Sequence, residues 1–117
     1  MNKVAQAVEN MQGAYSCSQS VLCAFCEDAG LSHDEAKKIA APYSGGRAVK
    51  CGALYAAEIV LKNKFGADTK LVDEMDKNFQ AKVGAINCKE IRRNNLRPCI
   101  GCVEDSATIL EKIISAN

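Results

Sequence analysis

The sequence predicts an all-α fold, a compact single-domain bundle of about six or seven helices. Apolar residues recur at three- and four-residue spacing along the chain, and valine, isoleucine and threonine never alternate with polar residues over a useful length. The apolar runs are also punctuated by helix signals. Ser or Asn stands three residues before Gln or Glu at their starts, and glycine follows several of their ends. A length of 117 residues suits one domain, so 1–117 reads as a single helical unit without linker, repeat or low-complexity tract.

The first helix runs from about Asn2 to Met11, with Val4, Ala5, Val8 and Met11 on one face, and Gly13 ends it. Ser16 and Gln19 form a capping box that puts Cys17 in the first turn of the second helix. That helix continues through Val21, Leu22, Phe25 and Cys26 to Ala29, and Gly30 stops it. Ser32 and Glu35 repeat the box and open a short helix from His33 to about Ala40. Pro42-Tyr43-Ser44-Gly45-Gly46-Arg47 is a turn. Ala48 to Lys64 then reads as one long helix carrying Leu54, Ile59, Val60 and Leu61, closed by Phe65-Gly66. A glycine near its start, Gly52, signals close approach of another backbone or group. Asp68 or Thr69 caps a helix to about Val83, with Leu71, Val72, Met75 and Phe79 facing inward and Gly84 at its end. Asn87 and Glu90 make a third capping box, with Cys88 just inside a helix that reaches about Arg93. After the loop at 94–97, Pro98 introduces the last helix, through Val103, Ala107, Ile109, Leu110, Ile113 and Ile114 to about Ser115.

Fifteen basic against 14 acidic side chains give a formal charge of +1, which argues against a dedicated nucleic-acid or anionic-membrane binder. No apolar run reaches the ~20 residues that span a bilayer. The N-terminal segment carries acid and amide groups where a secretory signal would be apolar. The expectation is a cytoplasmic protein. Aromatic residues make up 5% of the chain and tryptophan is absent, so Ala, Val, Leu, Ile, Met and some Cys must build the core. A core that modest would gain from homodimerisation.

Seven cysteines stand out against a single histidine, so any metal site must use thiolates or carboxylates. In a reducing compartment such a chain is more often metal-binding or redox-active than disulfide-stapled. Cys17, Cys51, Cys88 and Cys99 all fall near predicted helix starts, where unpaired N–H groups and the helix dipole favour a thiolate. Cys51 has the weakest case, about one turn into its helix. Cys23 and Cys26 share a face inside a helix and read as core. Cys99-Ile100-Gly101-Cys102, behind Pro98, has the local mechanics of a dithiol, with Cys99 attacking and Cys102 or Cys88 resolving. Arg47 and Lys50, and then Lys89, Arg92, Arg93 and Arg97, would lower nearby thiol pKa values or form a solvated surface. His33 reads as an exposed first-turn residue, and Tyr43 and Tyr55 as packing groups or pocket lining.

These residues resemble a known family, the redox-active proteins named for their cysteine pattern C_GCAxxG_C_C. Tyr15-Ser16-Cys17-Ser18-Gln19-Ser20-Val21 is similar to its opening stretch, Ser44-Gly45-Gly46 to its glycine turn, and Lys50-Cys51-Gly52-Ala53-Leu54-Tyr55 to its central box. Ile86-Asn87-Cys88 resembles the third cysteine site, and Cys99-x-x-Cys102-Val103 the fourth. The central box departs from the pattern: Lys50 stands for its first glycine, Gly52 for its alanine and Tyr55 for its closing glycine. The resemblance selects Cys17, Cys51, Cys88 and Cys99, and leaves Cys23, Cys26 and Cys102 as individual additions. It implies a redox role without a settled reaction, mostly in anaerobic bacteria and archaea. A similar module occurs in split-Soret cytochromes, which makes an iron–sulfur site a carried-over expectation. No Cys-x-x-Cys-His is present, so covalent haem attachment is not expected.

The leading expectation is an iron–sulfur cluster or other metal held for electron transfer by Cys17, Cys51, Cys88 and Cys99, working with a redox partner protein. The alternatives are a cofactor-free thiol–disulfide protein with Cys99 and Cys102 as its dithiol, or a helical scaffold whose cysteines are structural. An enzyme with a lone cysteine nucleophile has the least support, because no base is evident.

Overall fold

The computed structural model describes residues 2–43, 50–66 and 70–117. Seven α-helices lie in them: α1 (Lys3–Gln12), α2 (Cys17–Ala24), α3 (His33–Ala40), α4 (Gly52–Phe65), α5 (Lys70–Val83), α6 (Cys88–Arg93) and α7 (Cys99–Ala116). A 3₁₀ turn, Ala41–Tyr43, follows α3. The turn expected at 44–47, the helix start at Ala48 and the caps at Asp68 or Thr69 lie outside the described residues.

Local chemistry explains several starts. Asn2 caps α1 by accepting from the Ala5 amide at 2.7 Å. Both reciprocal bonds of the Ser16–Gln19 and Ser32–Glu35 boxes form, so α2 and α3 begin where the sequence says.

Three expectations need correction. The helix from Cys17 was expected to reach Ala29, but α2 ends at Ala24 and Phe25 leaves helical geometry at φ −109°, ψ 22°. The chain continues in tight turns. Leu31 N–H bonds back to the Cys26 carbonyl and Gly30 N–H to that of Glu27, with Gly30 at φ +69°. This is a glycine C-cap closure, so the stop signal was real but it ends turns rather than helix. Cys26 therefore lies outside a helix. The long central helix starts at Gly52, not Ala48, which makes Cys51 its N-cap. The third capping box is absent. The Asn87 side chain makes no cap bond and donates instead to Glu90 Oε1 at 3.3 Å. Its backbone forms an antiparallel bridge with Lys50, with the Cys51 amide donating to the Ile86 carbonyl at 2.8 Å.

Helix α4 is the central element and packs against α2, α5 and α7, while α1 lies over α2 and α7. Phe25, Leu22, Leu54, Leu61, Phe79, Met75 and Leu110 are the large side chains of the core. Ala53, Ala56 and Ala57 of α4 are also buried, and their small size lets neighbouring helices approach closely. The Ser106 hydroxyl on α7 donates to the Ala53 carbonyl in the first turn of α4, at 2.8 Å. That bond and the Lys50–Asn87 bridge bring the starts of α4, α6 and α7 to one end of the bundle. No helix among the described residues is long and apolar enough to cross a membrane.

Candidate functional site

Cys17, Cys88 and Cys99 are each the first residue of a helix, and Cys51 caps another. All four line one enclosed cavity of about 20 Å³, together with Gly52, Ile91, Arg92, Arg97 and a fifth thiol, Cys102. The four sulfurs singled out by helix starts are thus brought together. Cys102 joins them from one turn further along α7. No disulfide links any of the seven cysteines.

The two thiols at the back of the cavity form a pair. Cys51 is 6% exposed and Cys102 is 2% exposed. The Cys102 thiol donates to the Arg97 carbonyl at 3.9 Å. Beside it, the Cys51 sulfur has its pKa drawn down to about 7, with Cys102 the largest influence. Burial opposes this shift, while the amides of Leu54 and Ala53 at the α4 start and the Arg92 charge support it. The Cys51 sulfur makes no capping bond of ordinary geometry, so those amides act through proximity and dipole. Cys102 moves the opposite way, its pKa pushed up by the neighbouring Cys51 sulfur and by burial. Of the two, Cys51 is the more readily ionised. The expectation for Cys51 was the weakest of the four, and it is the thiol most clearly activated. Cys88, expected to lean toward thiolate, is instead pushed up by burial, which outweighs the attraction of Arg92.

Glycines make the close approaches possible. A Cβ on residue 52 would lie 2.5 Å from the Tyr43 carbonyl oxygen and 2.7 Å from Cys17 Sγ, so the expected close approach at Gly52 is present. A Cβ on residue 101 would lie 2.5 Å from Arg97 Nε. With hydrogen there instead, Arg97 folds back along α7 and bonds the buried Asp105 carboxylate at 3.0 and 3.3 Å, walling the cavity. Sequence reasoning missed this role of Gly101, although its place between two cysteines was the available signal. Arg92 turns to sulfur: its Nη2 lies 4.0 Å from Cys99 Sγ, and no carboxylate among the described residues pairs with it. The Cys99 sulfur, then the charges of Cys88, Cys99 and Cys17, raise the Arg92 pKa, which marks it as the counter-ion of the outer thiols.

The remaining candidates fall elsewhere. Cys23 is buried and its pKa is raised to about 11 by burial, then by Cys26, so it behaves as core. His33 stays at the α3 start and meets the Tyr15 hydroxyl at 2.9 Å. Tyr43 and Tyr55 stack with ring centroids 4.2 Å apart. Lys50 donates to Glu58 Oε2 at 2.7 Å and Asp76 Oδ2 at 2.9 Å. Arg47 lies outside the described residues.

The donor set of the cavity has the chemistry of an iron–sulfur site, but the space does not match. About 20 Å³ is roughly the room for one water molecule. Among the described residues, no three His, Cys, Asp or Glu side chains are grouped to hold a metal ion. A cluster of irons and sulfides does not fit the pocket as it stands.

A family model described as "Putative redox-active protein (C_GCAxxG_C_C)" matches residues 15–113. No curated protein and no solved structure matches the chain.

Proposed function

The chain belongs to the C_GCAxxG_C_C family of redox-active proteins, and on that premise we propose that it is a two-electron thiol–disulfide carrier whose working couple is Cys51 and Cys102. The carrying observation is that Cys51 and Cys102, both buried, line one cavity with three further thiols, and that the Cys51 pKa is drawn down to about 7. Thiol–disulfide exchange needs a thiolate to attack and a second thiol to complete the disulfide; the lowered pKa of Cys51 suits the first role and Cys102, in the same cavity, the second. The net reaction balances simply. The acceptor's S–S bond is reduced to two thiols, and the two cysteine thiols are oxidised to one disulfide. The acceptor is a disulfide of a partner protein or of a small thiol compound. The assignment moves the dithiol from Cys99–Cys102 to Cys51–Cys102 and keeps Cys102 as its second member.

A second reading has a specific observation behind it. The four family cysteines, Cys17, Cys51, Cys88 and Cys99, share the cavity with Arg92 and Arg97, and thiolates balanced by cations also suit an iron–sulfur electron carrier. It requires the pocket to widen.

Anaerobic purification separates the two. The thiol–disulfide reading expects colourless protein without stoichiometric iron or acid-labile sulfide. It also expects reversible loss of two thiols across a dithiothreitol redox series, mapped by mass spectrometry to Cys51 and Cys102. Stoichiometric iron and sulfide, with visible absorbance lost on replacing Cys17, Cys51, Cys88 or Cys99, would overturn it in favour of the cluster.

A further inference from the structure

The Cys51–Cys102 couple is buried, and that raises the question of how an acceptor reaches it. Thiol–disulfide exchange needs the attacking, central and leaving sulfurs roughly in line. A disulfide on another molecule cannot present that line to Cys51 at 6% exposure, behind Ile91, Arg92 and Arg97, in a cavity of about 20 Å³. Cys102, at 2%, is less accessible still. The outer thiols, Cys17, Cys88 and Cys99, are half-buried and can meet solvent.

Cys99 has a covalent route inward along its own helix. It precedes Cys102 by three residues on α7, a spacing that brings side chains together with Cβ atoms about 5–6 Å apart. That separation closes to a disulfide with modest adjustment at a helix start, where the backbone is least constrained. Cys102 in turn lines the same small cavity as Cys51. The sulfurs of Cys99, Cys102 and Cys51 therefore form a chain from the pocket mouth to its floor. Arg92 Nη2 sits at the outer end, 4.0 Å from Cys99 Sγ, where it stabilises a thiolate as it forms and as it leaves.

We infer that Cys99 is the entry thiol of a three-sulfur relay, with Cys102 the exchanging member that passes the disulfide inward to Cys51. This rests on the Cys51–Cys102 couple proposed above. In the first step the Cys99 thiolate attacks an acceptor disulfide. The acceptor S–S bond breaks, one acceptor thiolate departs, and a mixed disulfide forms on Cys99. In the second, Cys102 gives its proton to a departing thiolate and attacks Cys99 Sγ. The remaining acceptor thiolate leaves, and the Cys99–Cys102 disulfide forms. In the third, Cys51 attacks Cys102 Sγ and Cys99 departs as a thiolate beside Arg92. One acceptor disulfide has become two thiols, and Cys51–Cys102 is oxidised. Cys102 lies outside the four cysteines of the family pattern, so the relay is a property of this chain's own sequence.

The probe is 5,5′-dithiobis(2-nitrobenzoate), one equivalent on the reduced full-length chain, with acid quench, alkylation and mass spectrometry. Wild type should pass through a Cys99 adduct to Cys51–Cys102 and release two coloured thiolates. Cys102→Ser should stop at the Cys99 adduct with one released. Cys51→Ser should stop at Cys99–Cys102. Cys99→Ser, folded as judged by circular dichroism, should form Cys51–Cys102 at least tenfold more slowly. A Cys99→Ser rate equal to wild type would overturn the relay and leave the couple standing. If that variant does not fold, the order of adducts in wild type decides, and a first adduct on Cys51 overturns the relay. Failure of wild type to form Cys51–Cys102 under any oxidant would overturn the couple and the relay with it.

Discussion

Gly52 and Cys102 show how much the pocket depends on single atoms. The Tyr43 carbonyl and the Cys17 sulfur occupy the volume a side chain at 52 would need, and one of them is backbone that cannot rotate away. Gly52→Ala should therefore destabilise the fold by about 1–3 kcal/mol in urea titration, despite alanine's better helix propensity. A neutral or stabilising result would mean that the α4 start can move. Cys102 governs charge. Its thiol is the largest influence lowering the Cys51 pKa to about 7, well below the ordinary thiol value of 9.0. With that pKa, the Cys51 thiolate fraction rises about tenfold between pH 6 and pH 8. Cys102→Ala removes that influence and leaves the burial, so the midpoint should move upward. Thiolate ultraviolet absorbance against pH, referenced to Cys51→Ser, reads both midpoints. An unmoved midpoint in Cys102→Ala would show that the α4 amides carry the shift instead.

Between elements, the bridge of Lys50 with Asn87 matters most, because it fastens the starts of α4 and α6 and so brings Cys51 beside Cys88. Lys50 also anchors α4 to α5 through Glu58 and Asp76. Glu58 is 4% exposed. Burial, then its contact with Asp76, raises its pKa to about 7 against the pull of Lys50. The native state therefore holds a proton that the unfolded chain releases near the ordinary glutamate value of 4.5. Stability from this group is present below that value and is lost as pH rises through about 7. Glu58→Gln should flatten the decline in unfolding free energy between pH 5 and pH 7, and an unchanged slope would place the titration elsewhere. The sequence disclosed some of these features and hid others, according to the range of the interaction. The Ser16–Gln19 and Ser32–Glu35 boxes were legible because both partners lie within one turn. Asn87–Glu90 spells the same signal, but the Asn87 backbone is committed to Lys50, and a tertiary bridge leaves no local trace. Helix starts disclosed four of the pocket's five cysteines. The meeting of Cys51 and Cys102 in one cavity was not legible, because the packing of α4 on α7 and the Ser106–Ala53 bond create it across distant sequence.

On the scale of the whole molecule, the couple joins the start of α4 to the start of α7, so its oxidation is a global event. Closing that bond would tie off a loop of roughly fifty residues, which in the chain-entropy account removes about 4 kcal/mol of unfolded-state freedom. For a chain of this size, that difference corresponds to a rise in Tm of roughly 10–20 °C on oxidation. Redox and folding are linked through the same cycle. Whatever free energy the disulfide adds to folding also favours the oxidised state, and about 1.4 kcal/mol lowers a two-electron potential by about 30 mV. A carrier with this geometry should therefore be reducing in character, giving electrons to acceptor disulfides more readily than it takes them from thiols. Thermal melts of the reduced and oxidised forms, set beside the potential from a dithiothreitol series, test the linkage. An oxidised form that melts below the reduced one would mean the bond forms under strain, and the carrier would then work as an oxidant.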